Sequence, residues 1–269
     1  ILFNDFEKSN QMQTLSALNH LSEYEMNKYL LKFESNLSKL FSLSQTYNCM
    51  SEISKMNYND ALFFKGILLN AYIKNFQFLF NDSSMVEKFN LFKSYERSRA
   101  KEYSKPFAEQ RNLTDIEIKS NDLEKILFRN IPDYNKFRQL VQWKEVQSIL
   151  QLHESAIEFV HYNYYNKKQT DSNMYAALIL LPNDTTPHFV PLFEEKELNK
   201  LLAYSQSKGM DYVADLYHSP NVNIDSTSLY QKKSLYELTW KPLEPYLKGV
   251  NKIYFSPSGL LHRINQNAI

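Results

Sequence analysis

Met174-Tyr175-Ala176-Ala177-Leu178-Ile179-Leu180-Leu181 is the longest apolar run in the chain. A strand that lies between two helix layers meets water on neither face, so both of its faces can be apolar. The run predicts the centre of an α/β layer, and it is far shorter than the ~20 residues of a membrane helix. Upstream, Ala156 to Tyr162 alternates in part between apolar and polar positions, as a half-buried strand does. Between the two runs, Asn166 to Asn173 is polar turn chemistry, so a hairpin is expected to join them. Downstream, Pro187 to Phe193 is a third strand, and Pro191 places it at a sheet edge or a strand end.

Further along, Glu194 to Tyr204 reads as a helix with Leu198, Leu201 and Leu202 facing inward. Leu229 to Lys248 reads as a second, kinked or restarted at Pro242 and stopped by Gly249 as a left-handed C-cap. Lys252 to Phe255 is a compact strand, Ser256-Pro257-Ser258-Gly259 fits a type I turn, and Leu260 to Ile264 returns as another strand. The order of three strands, two helices and two strands indicates an α/β layer with a mixed sheet.

The first half has a different period. Ser22-Glu23-Tyr24-Glu25 has the capping-box form, and Met26, Leu30, Phe33, Leu37, Leu40 and Phe41 continue one apolar stripe, so a helix is expected from Glu23 to Leu43. A second helix is expected over Asp60 to Phe80. Ser84 to Glu87 and Thr114 to Glu117 repeat the capping signal, opening a helix that Pro106 must end and another carrying Ile118, Leu123, Ile126 and Leu127. After Ile131-Pro132 a short helix runs from Gln142 to Leu150. The capping boxes do not recur at a constant interval near the ~34 residues of a tetratricopeptide unit. Residues 1–150 are therefore expected to be a helical arm, either a degenerate repeat array or an irregular bundle, and residues 151–269 an α/β domain.

Composition excludes several classes of function. The net charge is +1 with Lys and Arg spread along the chain, which gives no basic stripe for nucleic acid. One cysteine, Cys49, rules out an internal disulfide and any zinc site built mainly from thiolates. That usage fits a reducing, cytoplasmic setting. An apolar fraction of 43% suffices for real cores. The chain opens on Ile1 and stops on Ile269 shortly after an apparent strand, from which a truncated domain is expected.

The second half resembles a known family. Trp143-Lys144-Glu145-Val146-Gln147 with Leu150, Ala156 to Phe159, Met174 to Leu180 and Val190 to Glu195 look like the opening of a CHAT domain. The likeness continues through Leu235 to Leu238, Trp240 to Leu243 and Lys252 to Ile264. This caspase-like family is commonly attached to tetratricopeptide-repeat arms. The resemblance implies peptide cleavage by a cysteine paired with a histidine at the C-terminal ends of sheet strands. It places both residues beyond Ile269. The expectation is thus the front part of a caspase-like cysteine endopeptidase, with a protein or peptide partner on the helical arm. The alternative is a non-enzymatic scaffold whose CHAT-like domain lacks the dyad.

Within these residues no catalytic, cofactor-binding or metal-binding position is expected. Cys49 reads as an incidental thiol in the arm, and His262 as a histidine of a strand preceding the catalytic ones. His161 alternates with Ile157 and Phe159 and reads as a sheet-face residue making a hydrogen bond. His188 and His218 read as exposed loop residues, and Asp171, Asp184 and Asp225 as solvated loop carboxylates. No two histidines stand three or four residues apart, as a helical metal site requires. Ser258 before Gly259 lacks a Gly-x-Ser-x-Gly frame, so a turn accounts for both. Tyr162, Tyr164 and Tyr165 could line a binding surface, although tyrosines at a strand end usually pack with only the hydroxyl exposed.

Overall fold

The computed structural model describes residues 9, 11–14, 17, 21–47, 51–79, 83–105, 109–129, 141–206, 234–266 and 269. The chain divides into two compact units, one containing residues 1–33 and 63–140, the other residues 34–62 and 141–269. Residues 34–62, expected in the arm, therefore belong with the sheet and not with the other helices.

The helical half contains α1 (Glu23–Thr46), α2 (Ser51–Leu79), α3 (Ser83–Tyr103) and α4 (Leu113–Arg129). The expected box at Ser22 is present in both directions: the Glu25 carboxylate accepts from the Ser22 amide at 2.9 Å, and Ser22 Oγ accepts from the Glu25 amide at 3.3 Å. Burial pushes the Glu25 carboxyl up, but Lys125 at 2.6 Å and the Ser22 amide outweigh it and leave it below its ordinary value. A depressed carboxyl stabilises the fold above its unfolded-state value, and that contribution is lost as the pH falls through the folded one. Ser22→Ala is expected to cost about 1 kcal/mol in thermal unfolding followed by far-UV circular dichroism. No change would mean the Glu25 half of the box suffices.

The other two boxes fall inside their helices. Ser84 and Thr114 lie one residue inside helices that begin at Ser83 and Leu113. At the second, the Asn112 carbonyl accepts from the Ile116 amide at 3.0 Å while Asn112 has φ +55°, a conformation asparagine tolerates. Helix α2 starts nine residues before the expected Asp60, at Ser51. Its first turns hide their pattern because two asparagines serve as tertiary links. Asn57 is fully buried and donates to Ser44 Oγ at 2.6 Å, and Asn59 Oδ1 accepts from the Trp143 amide at 2.8 Å.

The sheet-bearing unit continues with α5 (Trp143–Ile149), β1 (Glu154–Asn166), β2 (Lys168–Leu180), β3 (His188–Glu194), α6 (Glu195–Gln206), α7 (Leu235–Thr239) and β4 (Lys252–Ser256). The strands form one mixed sheet in the order β3-β2-β1-β4. β1 and β2 are antiparallel with Phe159 opposite Ala177, β2 and β3 are antiparallel, and β4 lies parallel to β1 with Ile157 opposite Phe255. β3 is an edge strand, as Pro191 requires, and its register shifts by one residue between Pro191 and Glu194. The polar stretch expected as a turn is strand: β1 and β2 run on to the pair Asn166–Lys168, and Lys167 turns the chain at φ +60°.

Both faces of the sheet are covered, as the apolar run at β2 demands. Ile157, Phe159, Tyr175, Ala177 and Ile179 pack with Leu198 and Leu201 of α6 and with Leu235, Leu238, Leu243 and Leu261. Ala156, Val160, Tyr162, Ala176, Leu178 and Leu180 pack with Phe41, Tyr58, Ala61 and Trp143. After α6 one expectation holds in its restarted form and one fails. The helix expected over Leu229 to Lys248 is α7, a 3-10 turn at Lys241–Leu243 and further turns, because Pro242 opens a new turn instead of continuing the old one. Residues 229–233 lie outside the described set. Gly249 has the left-handed φ expected of it, +80°. The strand expected over Leu260 to Ile264 is instead a 3-10 helix, Gly259–Arg263. No helix among the described residues is long and apolar enough to cross a membrane.

Candidate functional site

β4 ends at Ser256, and two residues later the chain turns sharply into the 3-10 helix. The expected type I turn does not form. Ser258 is extended at φ −142° and ψ 151°, and Gly259 takes φ +55°. The cause is tertiary: a Cβ on residue 259 would lie 2.4 Å from Tyr175 Oη and 3.2 Å from His161 Cγ. Only glycine lets the backbone approach that closely.

Three side chains, His161, Ser258 and Tyr175, meet at this turn. His161 continues β1 on the face of Ile157 and Phe159, and its Nδ1 lies 2.7 Å from Ser258 Oγ. Its ring stacks on that of Tyr175, with centroids 5.8 Å apart and planes at 27°. Tyr175 is fully buried; its hydroxyl donates to the Glu195 carboxylate at 3.0 Å and accepts from the Leu260 amide at 2.9 Å. Burial holds the Tyr175 phenol well above its ordinary value, so it stays protonated through the neutral range. Phe193 stacks on its other side at 4.8 Å. The imidazole therefore stands against a buried ring held by two hydrogen bonds and a stack, with a serine hydroxyl in hydrogen-bond reach. His161 is exposed and Ser258 half-buried.

The location follows a general rule. In open α/β sheets, sites form beyond the carboxyl ends of strands, where the loops diverge. The turn lies at the carboxyl end of β4, the strand parallel to β1.

The other sequence candidates are dispersed. His262 is exposed on the 3-10 helix, two residues past the backbone amide that Tyr175 holds. His188 and Asp184 are together, against expectation: Nε2 lies 2.8 Å from Oδ2, with the His188 ring 5.0 Å from that of Tyr246. The loop carrying Asp184 is fixed by Gln147, whose amide donates to the carbonyls of Leu181 and Asp184 at 2.8 and 2.7 Å. Asp171 belongs to β2 and not to a loop, and it is exposed there. Tyr162 is buried against Phe41 and donates to Gln45 at 2.5 Å, while the Tyr165 hydroxyl pairs with Ser35 at 3.1 Å. These tyrosines serve packing more than an open surface. Cys49, His218 and Asp225 lie outside the described residues. Among the described residues no group of three or more His, Cys, Asp or Glu side chains is placed to hold a metal ion.

Sequence reasoning named His161 and Ser258 separately and missed their meeting, along with the parts of Tyr175 and Glu195. One signal was available: a glycine directly after a serine, following a strand, where a close backbone approach is a standing reason for glycine. Compared with known proteins, the chain matches no family model, no curated protein and no solved structure.

Proposed function

We propose that this chain is the front part of a caspase-like domain of the CHAT type with helical-arm residues before it, in the cytoplasm, and that the parent protein is a cysteine endopeptidase. The observation that carries the reading is β4. It adds in parallel beside β1, after an antiparallel trio and a helical crossover, and among the described residues its outer edge pairs with no strand. A parallel edge that no described strand pairs with is suited to continuation by further parallel strands. Those strands would bring the thiol and imidazole of the resemblance to the same end of the sheet as the turn at Ser258. A thiol there needs an adjacent imidazole to become thiolate and fixed amides for the oxyanion.

The helical unit supports a partner for the arm. A cavity of about 370 Å³ there is lined by Tyr24, Phe92, Glu96, Arg99, Tyr103 and Glu124. Its size is that of a small ligand pocket, and the mixture of aromatic walls with charged groups suits the side chain of a peptide.

The test compares two polypeptides on one peptide panel. Residues 1–269 alone are expected to cleave nothing, and the parent carrying the further strands is expected to cleave and to be silenced by thiol alkylation. A parent that lacks a histidine and a cysteine at the ends of its next strands would favour the scaffold. Cleavage by residues 1–269 that Cys49→Ala abolishes would overturn the reading.

A further inference from the structure

We propose that Ser258 is a nucleophile activated by His161, able to accept an acyl or phosphonyl group from an electrophile with a good leaving group. This activity is independent of the thiol chemistry proposed above and uses none of its residues.

The Ser258 hydroxyl is not used where a serine in its position ordinarily is. A serine preceding a helical turn normally accepts a hydrogen bond from an amide two or three residues on. Ser258 occupies that position before Gly259–Arg263 and makes no such bond. The Leu260 amide is taken instead by Tyr175 Oη, from β2, at 2.9 Å. The Ser258 hydroxyl is thereby left to His161 Nδ1 at 2.7 Å. A nucleophile in reach of a base, with the base oriented by a third group, is the general arrangement of an activated serine. Here the orienting group is the buried Tyr175 ring, held by Glu195, Leu260 and Phe193. The approach is open, since His161 is exposed and Ser258 is half-buried.

The step balances without an additional reagent other than water. Ser258 Oγ bonds to the carbonyl carbon or phosphorus while its proton passes to His161 Nδ1, the other ring nitrogen retaining the tautomeric proton. The leaving group departs with its electron pair and takes the proton from the imidazolium; water then releases the acyl group by the same route. Amide cleavage further requires donors fixed on the oxyanion and a proton for the amine. The pair supplies a nucleophile and a base, which fits activated esters and fluorophosphonates as the reacting class.

The probe is a fluorophosphonate, with adducts located by peptide mass spectrometry on residues 1–269. Phosphonylation is expected at Ser258, with fluoride leaving, at a rate that rises with pH through the range where imidazoles lose their proton. Ser258→Ala should remove the adduct, and His161→Gln should slow it roughly 100-fold at unchanged unfolding temperature. Prior alkylation of thiols should leave the Ser258 rate unchanged, which separates this activity from the cysteine chemistry. No adduct at Ser258, or an equal rate in His161→Gln, would reduce the pair to a structural link between β1 and the turn. Should His161→Gln fail to fold, a flat pH profile in the unaltered chain would overturn the proposal by itself.

Discussion

Tyr58→Ala is expected to destabilise the sheet-bearing unit by about 3–5 kcal/mol, although Tyr58 lies in a stretch that the sequence alone assigns to the helical arm. The side chain has no exposed surface. It shares a core with Phe41, Ala61 and Trp143 and with Ala156, Val160 and Leu178 of the sheet, and its hydroxyl faces the Ala156 carbonyl at 3.4 Å. Burial, reinforced by the Glu158 charge, pushes its phenol far above the ordinary value, so the group stays protonated through the neutral range. Truncation would remove an aromatic ring from a filled core and leave a cavity, which costs more than the lost transfer energy alone. Trp143 and Trp240, the two tryptophans of the chain, both belong to the sheet-bearing unit, so their fluorescence during urea unfolding follows that unit. Tyr254→Ala, at a position 47% exposed, is the comparison and should shift the midpoint little. Equal midpoints for the two variants would mean that residues 34–62 do not support the sheet.

The placement of Tyr58 also marks the limit of what helical spacing encodes. An amphipathic helix shows that it has a buried face, and the stripe from Met26 to Phe41 showed it correctly; it does not show which surface that face meets. Phe41 and Tyr58 face the sheet, while Phe33 pairs with Phe64 at 6.0 Å in the other unit, and nothing in the spacing separates them. Local signals were legible where one short stretch determines the outcome: the reciprocal cap at Ser22, the both-sided apolar run of β2, the edge position of Pro191, the left-handed Gly249. They misled where a tertiary contact decides. Asn166 to Asn173 is polar because the hairpin runs on past the packed part of the sheet, and polarity alone does not distinguish such a strand end from a turn. Ser256 to Gly259 carries the residues of a type I turn, but Tyr175 imposes another path. The pairing of His161 with Ser258 joins positions 97 apart, and no local pattern encodes it.

That path gives the second large effect. Gly259→Ala is expected to cost about 2–5 kcal/mol, from two sources that can be separated. A non-glycine residue held at φ +55° loses roughly 1–2 kcal/mol to the clash of its own Cβ with the backbone. The new methyl would in addition stand 2.4 Å from Tyr175 Oη, and relieving such an overlap in a packed site costs roughly 1–3 kcal/mol. Tyr175 cannot yield cheaply, because its hydroxyl holds both Glu195 and the Leu260 amide, and its ring lies between His161 and Phe193. Tyr175→Phe removes the overlapping oxygen at the cost of those two hydrogen bonds, so a double-mutant cycle divides the loss. In the Tyr175→Phe background the penalty of Gly259→Ala should fall by the share due to the hydroxyl, the 3.2 Å approaches to the residue 175 ring and His161 Cγ remaining, making the double variant more stable than the sum of the single losses predicts. Strict additivity would mean that the Tyr175 hydroxyl contributes nothing to the cost. A Gly259→Ala penalty below about 0.5 kcal/mol, the size of an ordinary surface change, would mean that the turn relaxes and that Tyr175 does not fix the position of Ser258 against His161.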